Sequence, residues 1–260
     1  MAQDWDPDHY SRFADERDRP FAELLSRVPD VRPERVVDLG CGPGRGLLVL
    51  ARRWPGAEVV GVDASPAMVA AARSAGATAQ VGDVRAWARA DGDHRPVDLL
   101  VTTATLQWVP GHLELLPDLL GGVRPGGCFA MSVPGNFEEP SHTLRQELAA
   151  RPEYARHLDG VADPAGHGPL DYLRVLAAAG AAVDAWETTY LHVLDPEGHD
   201  PDPVFTWVSA TGARPTLEAL PDGVREHFVT ELKAAQRRAD PRSSVGVVLP
   251  FRRVFAVARR

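Results

Sequence analysis

The sequence predicts an α/β protein built on a doubly wound, mostly parallel sheet. Three observations carry that expectation. Short apolar runs alternate with helical stretches through the first half of the chain. The first run ends in a glycine-rich loop that leads straight into a helical stretch. A later run, Val97 to Val101, is apolar apart from Asp98, as in a strand buried on both faces. Right-handed crossovers follow from the alternation.

The opening element is the most informative. Val36 and Val37 run into Asp38, then Leu39-Gly40-Cys41-Gly42-Pro43-Gly44, and a helical stretch spans Arg45 to Trp54. Glycine lets a backbone approach a ligand closely, so strand, glycine loop and helix in this order suit a nucleotide-like cofactor. A plain βα turn is the bland alternative. A dinucleotide loop, G-x-G-x-x-G, needs its third glycine at 45, where Arg45 stands. That disfavours a nicotinamide oxidoreductase. The spacing present, Asp-x-Gly-x-Gly-Pro-Gly, resembles the S-adenosylmethionine loop of class I methyltransferases.

The next elements extend this reading. Ala57 to Val62 reads as a strand ending at Asp63, placed to accept the ribose hydroxyls of an adenosine. Ser65 suits a helix N-cap, with Pro66 at the first helical position. Met68 either packs on the adenine or fills the core. A short strand, Thr78 to Val81, leads to Gly82-Asp83-Val84; Asp83 either accepts the adenine amino group or makes a turn. Val97 to Val101 runs into Thr102 to Pro110. This puts Gln107 and Trp108 at the carboxyl end of the sheet, where open α/β folds bind ligands. The Asn/Asp-Pro-Pro-Tyr motif of nucleic-acid base amino-methyltransferases is absent there. A helix over Leu113 to Val123 closes at Arg124-Pro125-Gly126-Gly127, and Cys128 to Val133 forms the fifth strand.

The whole chain bounds the function. Its 260 residues, 44% hydrophobic, suit one elaborated α/β domain. The net charge of −8 argues against a nucleic-acid partner, so an anionic ligand needs local arginine or histidine. Cys41 and Cys128 read as small core residues, with no metal site and no disulfide. No apolar run is long enough to span a membrane, and Met1 to Asp6 lack signal-peptide character. A cytoplasmic monomer is expected.

The remaining elements surround the sheet. Trp5, Tyr10 and Phe13, followed by Arg17, Arg19 and Pro20, form either a lid over the cofactor or a packed amphipathic helix. Pro134 to His142 leaves the fifth strand, and Ser141 is expected to cap a helix starting near His142. A surface loop over Asp159 to Pro169 precedes a helix over Leu170 to Gly180. Strands over Val183 to Leu194 and Val245 to Ala258 enclose a mostly helical stretch, Asp202 to Arg238, broken around Gly212 to Pro215.

Blocks along nearly the whole chain resemble the trans-aconitate 2-methyltransferase family. They include Trp5-Asp6-Pro7, Arg53-Trp54-Pro55, Asp63-Ala64-Ser65-Pro66-Ala67-Met68, Leu106-Gln107-Trp108-Val109-Pro110 and Pro134-Gly135-Asn136-Phe137. Further blocks are Trp186-Glu187-Thr188-Thr189-Tyr190, Trp207-Val208-Ser209-Ala210-Thr211-Gly212 and Pro250-Phe251-Arg252-Arg253. Ala64 stands where serine is common, and the 159–169 loop looks locally different.

The resemblance implies a seven-stranded, Rossmann-like class I methyltransferase sheet with a helical cap. It implies S-adenosylmethionine as cofactor, S-adenosylhomocysteine as product, and methyl transfer to a carboxylate of trans-aconitate, giving a monomethyl ester. Residues 1–30 would be a lid, 31–133 the cofactor core, and 134–260 the rest of the sheet plus the cap, in one structural domain. Tyr10, Arg19, Asp38, Gly40, Gly42, Asp63, Ala64, Met68, Asp83, Val84, Ala104 and Gln107 would hold the cofactor. Arg17, Trp108, Asn136, His142, Tyr190, His192, Trp207, Arg214 and Arg253 would line the acceptor site. No catalytic base is assigned, because a carboxylate with a pKa of about 4 is already ionised. Alternatives are another small acid or hydroxyl acceptor, which as a hydroxyl would want a base, and a cofactor-binding protein without catalysis.

Overall fold

The computed structural model describes residues 14–29, 32–89 and 95–260, with side chains from Asp18 onward. Tyr10 and the side chain of Arg17 lie outside the described residues, as do 1–13 and 30 of the proposed lid.

The elements run α1 (Ala14–Arg27), β1 (Arg35–Leu39), α2 (Arg45–Arg53), β2 (Glu58–Asp63), α3 (Pro66–Ser74), β3 (Ala79–Val81), α4 (Val84–Ala88) and β4 (Val97–Thr103). A single 3₁₀ turn over Leu106–Trp108 leads to α5 (His112–Gly121) and β5 (Val123–Pro134). There follow α6 (Pro140–Ala149), α7 (Pro152–Ala155), α8 (Pro169–Ala178) and β6 (Ala182–Leu194). The chain ends with α9 (Pro203–Ser209), α10 (Arg214–Ala219), α11 (Asp222–Ala239) and β7 (Val247–Arg259).

The seven strands lie in the order β3-β2-β1-β4-β5-β7-β6. The β1–β2, β1–β4, β2–β3 and β4–β5 pairings are all parallel. β7 runs against β5: Gly126 and Arg260 meet at one end, Gly135 and Arg252 at the other. The mostly parallel, seven-stranded doubly wound sheet is therefore present.

By contact pattern the chain forms two compact units. Unit 1 comprises Met1–Val133, His167–Glu187 and Val254–Arg260; unit 2 comprises Pro134–Gly166 and Thr188–Arg253. The main core of unit 1 packs strand residues such as Val37, Leu100 and Phe129 against Leu116 and Leu119 of α5 and Leu176 of α8. Unit 2 has its own small core of Leu148, Tyr154, Leu220, Phe228 and Leu232.

Local physics explains the agreements and the differences. Ser65 caps α3, taking the Met68 N–H at 3.3 Å, with Pro66 just inside the helix. Asp98, which interrupts an apolar strand, is 4% exposed and accepts the Glu34 and Arg35 N–H groups at 2.9 and 2.8 Å. It also pairs with Arg124, so a buried charge is neutralised while it ties down the start of β1. β5 begins at Val123 rather than Cys128: Arg124 to Gly127 belong to the strand, through a register shift opposite Val97 and Leu99. Ser141 does not cap a helix. Pro140 sits at the first helical position, Glu139 takes the cap place, and Ser141 lies inside α6, because the fixed φ of proline sets the helix start two residues earlier. The break expected at 212–215 lies two residues earlier, at 210–213, since Arg214 and Pro215 already start α10. Cys41 and Cys128 are buried and unbridged.

Candidate active site

The loop after β1 turns three times through left-handed backbone: Gly40 at φ 75°, Gly42 at φ 53° and Gly44 at φ 87°. Each glycine has a separate reason. A Cβ on Gly40 would lie 2.0 Å from the Thr105 hydroxyl, so the β4 end closes on the loop there. A Cβ on Gly44 would come within 2.9 Å of Ala72, so this glycine lets the loop pack against α3. Among the described residues, a Cβ on Gly42 would meet nothing within 4 Å. Open space therefore faces the middle of the loop.

Two carboxylates organise this loop. Asp63, at the end of β2, accepts the Gly42 N–H at 2.8 Å and the Ser65 N–H at 2.9 Å. It thereby fixes the loop to the start of α3. Burial raises its pKa, and these two amides lower it in part. Asp38, on β1, is 3% exposed, and its Oδ1 has no hydrogen-bond partner. Burial, and then the charge of Asp63, push Asp38 up to about 7. Arg45, at the place of the missing third glycine, pairs with Asp18 of α1 at 2.7 Å.

The other cofactor-side residues of unit 1 fall on the same sheet ends or nearby. Asp83 caps α4, its Oδ1 taking the Arg85 and Ala86 N–H groups at 2.8 and 3.0 Å, so the turn role expected of it is realised. Val84 and Met68 are buried, while Ala64 and Arg19 are exposed. Ala104 is left-handed at φ 52°. The Gln107 amide donates to the Ala104 carbonyl at 2.7 Å, and Gln107 Oε1 is buried without a partner. Trp108 is half-buried in the 3₁₀ turn. A donor-binding cradle needs open backbone and uncommitted polar atoms; Gly42, Asp38 Oδ1 and Gln107 Oε1 provide both.

Unit 2 gathers most of the expected acceptor residues into two groups. Tyr190 and His192 alternate on β6 and stack at 6.3 Å between ring centroids. His192 stacks on Trp207 at 4.8 Å, and Phe251 lies 5.6 Å from both. The Arg253 guanidinium covers Phe251 at 4.9 Å. Asn136 and His142 flank the start of α6. Asn136 is 1% exposed with its Oδ1 unpartnered. His142 meets Phe137 edge-on at 5.1 Å and leaves no room for a side chain at Gly212. Burial, then the Arg145 charge, lower His142 to about 4, against the pull of Asp163. It is therefore a neutral ring near pH 7, not a cation. Arg214 pairs with Glu218 at 2.5 Å, on α10.

Two residues of unit 2 were missed. Phe251 sits at the centre of the aromatic group. Arg145 is 4% exposed, donates to Thr216 at 3.0 Å and pairs with Asp163. A signal for Arg145 existed: Ser141, Arg145 and Leu148 recur at the spacing of one helix face, and all three are buried. For metals, Asp195, Glu197 and His199 place ligand atoms within 4.8 Å, but Arg242 and the His199 amide already engage Asp195. Among the described residues, no helix is long and apolar enough to cross a membrane.

Comparison with known proteins follows the same lines. A family model described as "Methyltransferase domain" matches residues 36–127, which hold both carboxylates and the glycine loop. A trans-aconitate 2-methyltransferase of Streptomyces avermitilis is 49% identical over 98% of this chain and 97% of its own length. The protein of that name from Streptomyces coelicolor is 47% identical over 100% of this chain and 88% of its own. Among solved structures, geranyl diphosphate C-methyltransferase from Streptomyces coelicolor, in complex with Mg2+, geranyl diphosphate and S-adenosyl-L-homocysteine, aligns at a TM-score of 0.53. At 16% identity, covering 97% of this chain and 82% of that one, it speaks to the fold alone.

Proposed function

The chain belongs to the trans-aconitate 2-methyltransferase family, and from that premise we propose that it methylates a carboxylate of trans-aconitate, using S-adenosylmethionine and forming a monomethyl ester. The observation that carries the proposal is the open space that the described residues leave at Gly42, on a loop clamped by Asp63 and backed by Asp38, whose Oδ1 has no partner among them.

When bound, S-adenosylmethionine supplies an electrophilic methyl group on a positively charged sulfur, and S-adenosylhomocysteine is what leaves. The residues present fit that group. Gly40 and Gly42 let the backbone come close, Asp63 lies where ribose hydroxyls would be met, and Gln107 offers a buried acceptor. Asp38 gains from a cation nearby, because its ionised form is otherwise buried and repelled by Asp63. Tyr10, Arg19, Ala64, Met68, Asp83, Val84 and Ala104 complete the cofactor side of this reading.

The acceptor is a polycarboxylate, ionised near neutral pH at a pKa of about 4. The chain therefore has no proton to remove. Its tasks are to hold a carboxylate oxygen within about 3–3.5 Å of the methyl carbon and to keep water out. Arg253 over Phe251, with Tyr190, His192 and Trp207, gives a cation set among aromatic walls, and guanidinium binds carboxylates in a fork. His142 serves as a neutral hydrogen-bonding ring, beside Asn136. Arg17, Trp108 and Arg214 belong to the same proposed acceptor side. Residues 1–30 would close over the ligands as a lid, and the helices of 134–260 would cap them. The protein would act as a cytoplasmic monomer without a nucleic-acid partner.

The test is a transfer assay over a panel of di- and tricarboxylic acids, read by mass spectrometry. A product heavier by one methyl, strongest with trans-aconitate and labile to mild alkali as esters are, is the expected result. Tight binding of S-adenosylhomocysteine with no product from any acid would leave a binding protein instead. A product from hydroxyl acceptors, with a base titrating near pH 7, would move the assignment to hydroxyl transfer.

A further inference from the structure

Unit 2 contains a cavity of about 210 Å³ between the start of α9 and the end of α11. It is lined by none of the residues assigned to cofactor or acceptor. Pro201, Pro203, Val204, Phe205 and Val247 make apolar walls. The polar lining comprises Asp202, Lys233, Gln236, Arg237, Asp240 and Arg242; Gln236 and Asp240 are four residues apart at the α11 end.

Those two residues are unusual. Gln236 is 2% exposed, yet neither its Nε2 nor its Oε1 has a hydrogen-bond partner. Asp240 Oδ2 is buried and unpartnered as well. Three polar atoms without a partner among the described residues thus belong to residues lining one cavity, and a buried amide left unpaired destabilises the fold. Burial, and then the charge of Glu139, hold Asp240 above the ordinary carboxylate range. This adds a proton-bearing edge beside the amide as the pH falls.

Asp240 apart, the charged lining residues are already committed. Asp202 binds Arg237 at 2.6 Å and Lys233 at 3.4 Å, and Arg242 pairs with Asp195. The cavity therefore offers no spare cation to an acid, which separates it from a tricarboxylate site. Its size is also informative. An apolar cavity of about 150 Å³ accepts one benzene, and a water molecule claims about 30 Å³ and wants two to four polar partners. Filling 210 Å³ with water would put most of those waters against apolar walls.

We propose that this cavity is a second small-molecule site, taking a neutral nitrogen heterocycle of one or two rings whose edge carries a donor beside an acceptor, read by Gln236 and Asp240. A side-chain amide pairs in two places with such an edge, as Gln does with the N6 and N7 atoms of adenine. The apolar walls cover the ring faces. The site stands apart from the methyl-transfer reading, and its failure leaves that reading untouched.

The experiment uses the full chain with saturating S-adenosylhomocysteine, so that a purine probe is kept out of the cofactor site. Adenine, uracil and nicotinamide are titrated by saturation-transfer NMR and calorimetry, with indene as a ring that lacks both polar atoms. At least one amide-edged probe binds, and Gln236→Leu weakens it tenfold or more while the melting temperature stays or rises, because an unpaired buried amide has been removed. Val204→Phe narrows the cavity, leaves Gln236 in place, and weakens the same probe. Binding equal in wild type and Gln236→Leu overturns the proposal. So does an absence of binding by all three amide-edged probes, which leaves ordered water as the only occupant.

Discussion

The glycine loop of unit 1 and the aromatic group of unit 2 position their functional atoms by different means. The loop is built from backbone: Gly40, Gly42 and Gly44 set its path, and Asp63 holds it through two amides. All of this lies within 28 residues, counting from Asp38 to Ser65. The aromatic group is built from side chains on β6, α9 and β7, stacked through Trp207 and Phe251. A backbone-defined site tolerates little change, because no rotamer can absorb an added atom. A side-chain-defined site can be retuned one residue at a time. One half of such an enzyme can therefore keep its donor while the other half changes acceptor.

The largest expected effect tests the electrostatic cost in the loop. The folded protein keeps a proton on Asp38 up to about pH 7, whereas the unfolded chain loses it near 3.8. The native state thus binds more protons across that window. Stability contributed by this group is highest below about pH 4, falls as the pH rises to about 7, and is flat above. Asp38→Asn has no proton to lose. At pH 8 it gains at most about 4 kcal/mol over wild type, and at pH 4 nothing, by denaturant unfolding at both pH values. Equal stability differences at the two pH values would show that the carboxylate is solvated.

Gly40→Ala comes next. The added methyl meets Thr105 and forces a non-glycine residue into φ 75°. The expected loss is about 3 kcal/mol, or roughly 6–12 °C in Tm. Gly42→Ala separates stability from activity. Its Cβ meets nothing, so the folded state loses only about 1 kcal/mol for the left-handed φ of 53°. The methyl enters the open space, and kcat/KM falls about 100-fold, near 2.7 kcal/mol. A fully active Gly42→Ala would remove that space from the donor site. The smallest effect belongs to unit 2. Trp207→Phe keeps a ring against His192 and Phe251 but loses area, so acceptor KM rises about tenfold, some 1.4 kcal/mol, with donor affinity unchanged. A matching loss of donor affinity would mean that the two regions are not separable in this way.

How much of this was legible in the sequence follows the same division. The loop, Asp63, the Ser65 cap and the alternation of strands and helices are local or periodic features, and nearest neighbours in sequence decide them. Asp98 looked like an interruption because its partners, the amides of Glu34 and Arg35, lie 64 and 63 residues away. Ser141 misled because proline outranked serine in choosing the helix start. Phe251 stands in the Pro250–Arg253 block, but nothing in that block marks it as part of the site; its place comes from meeting rings on two other elements. His142 was legible as a site candidate but not as a neutral one, since burial and Arg145 set its charge. The Gln236 cavity left no trace in the sequence, because an unpaired amide is a property of packing alone.

The central claim is that the donor is seated by the loop after β1 and the acid by unit 2. Backbone amide NMR of the isotopically labelled chain, titrated separately with S-adenosylhomocysteine and trans-aconitate, tests it most directly. The account predicts that S-adenosylhomocysteine shifts resonances at 38–44, 63–65 and 104–107, whereas trans-aconitate shifts those at 136–145, 190–192, 207 and 251–253. Shifts from S-adenosylhomocysteine confined to unit 2, with the glycine loop silent, would contradict it.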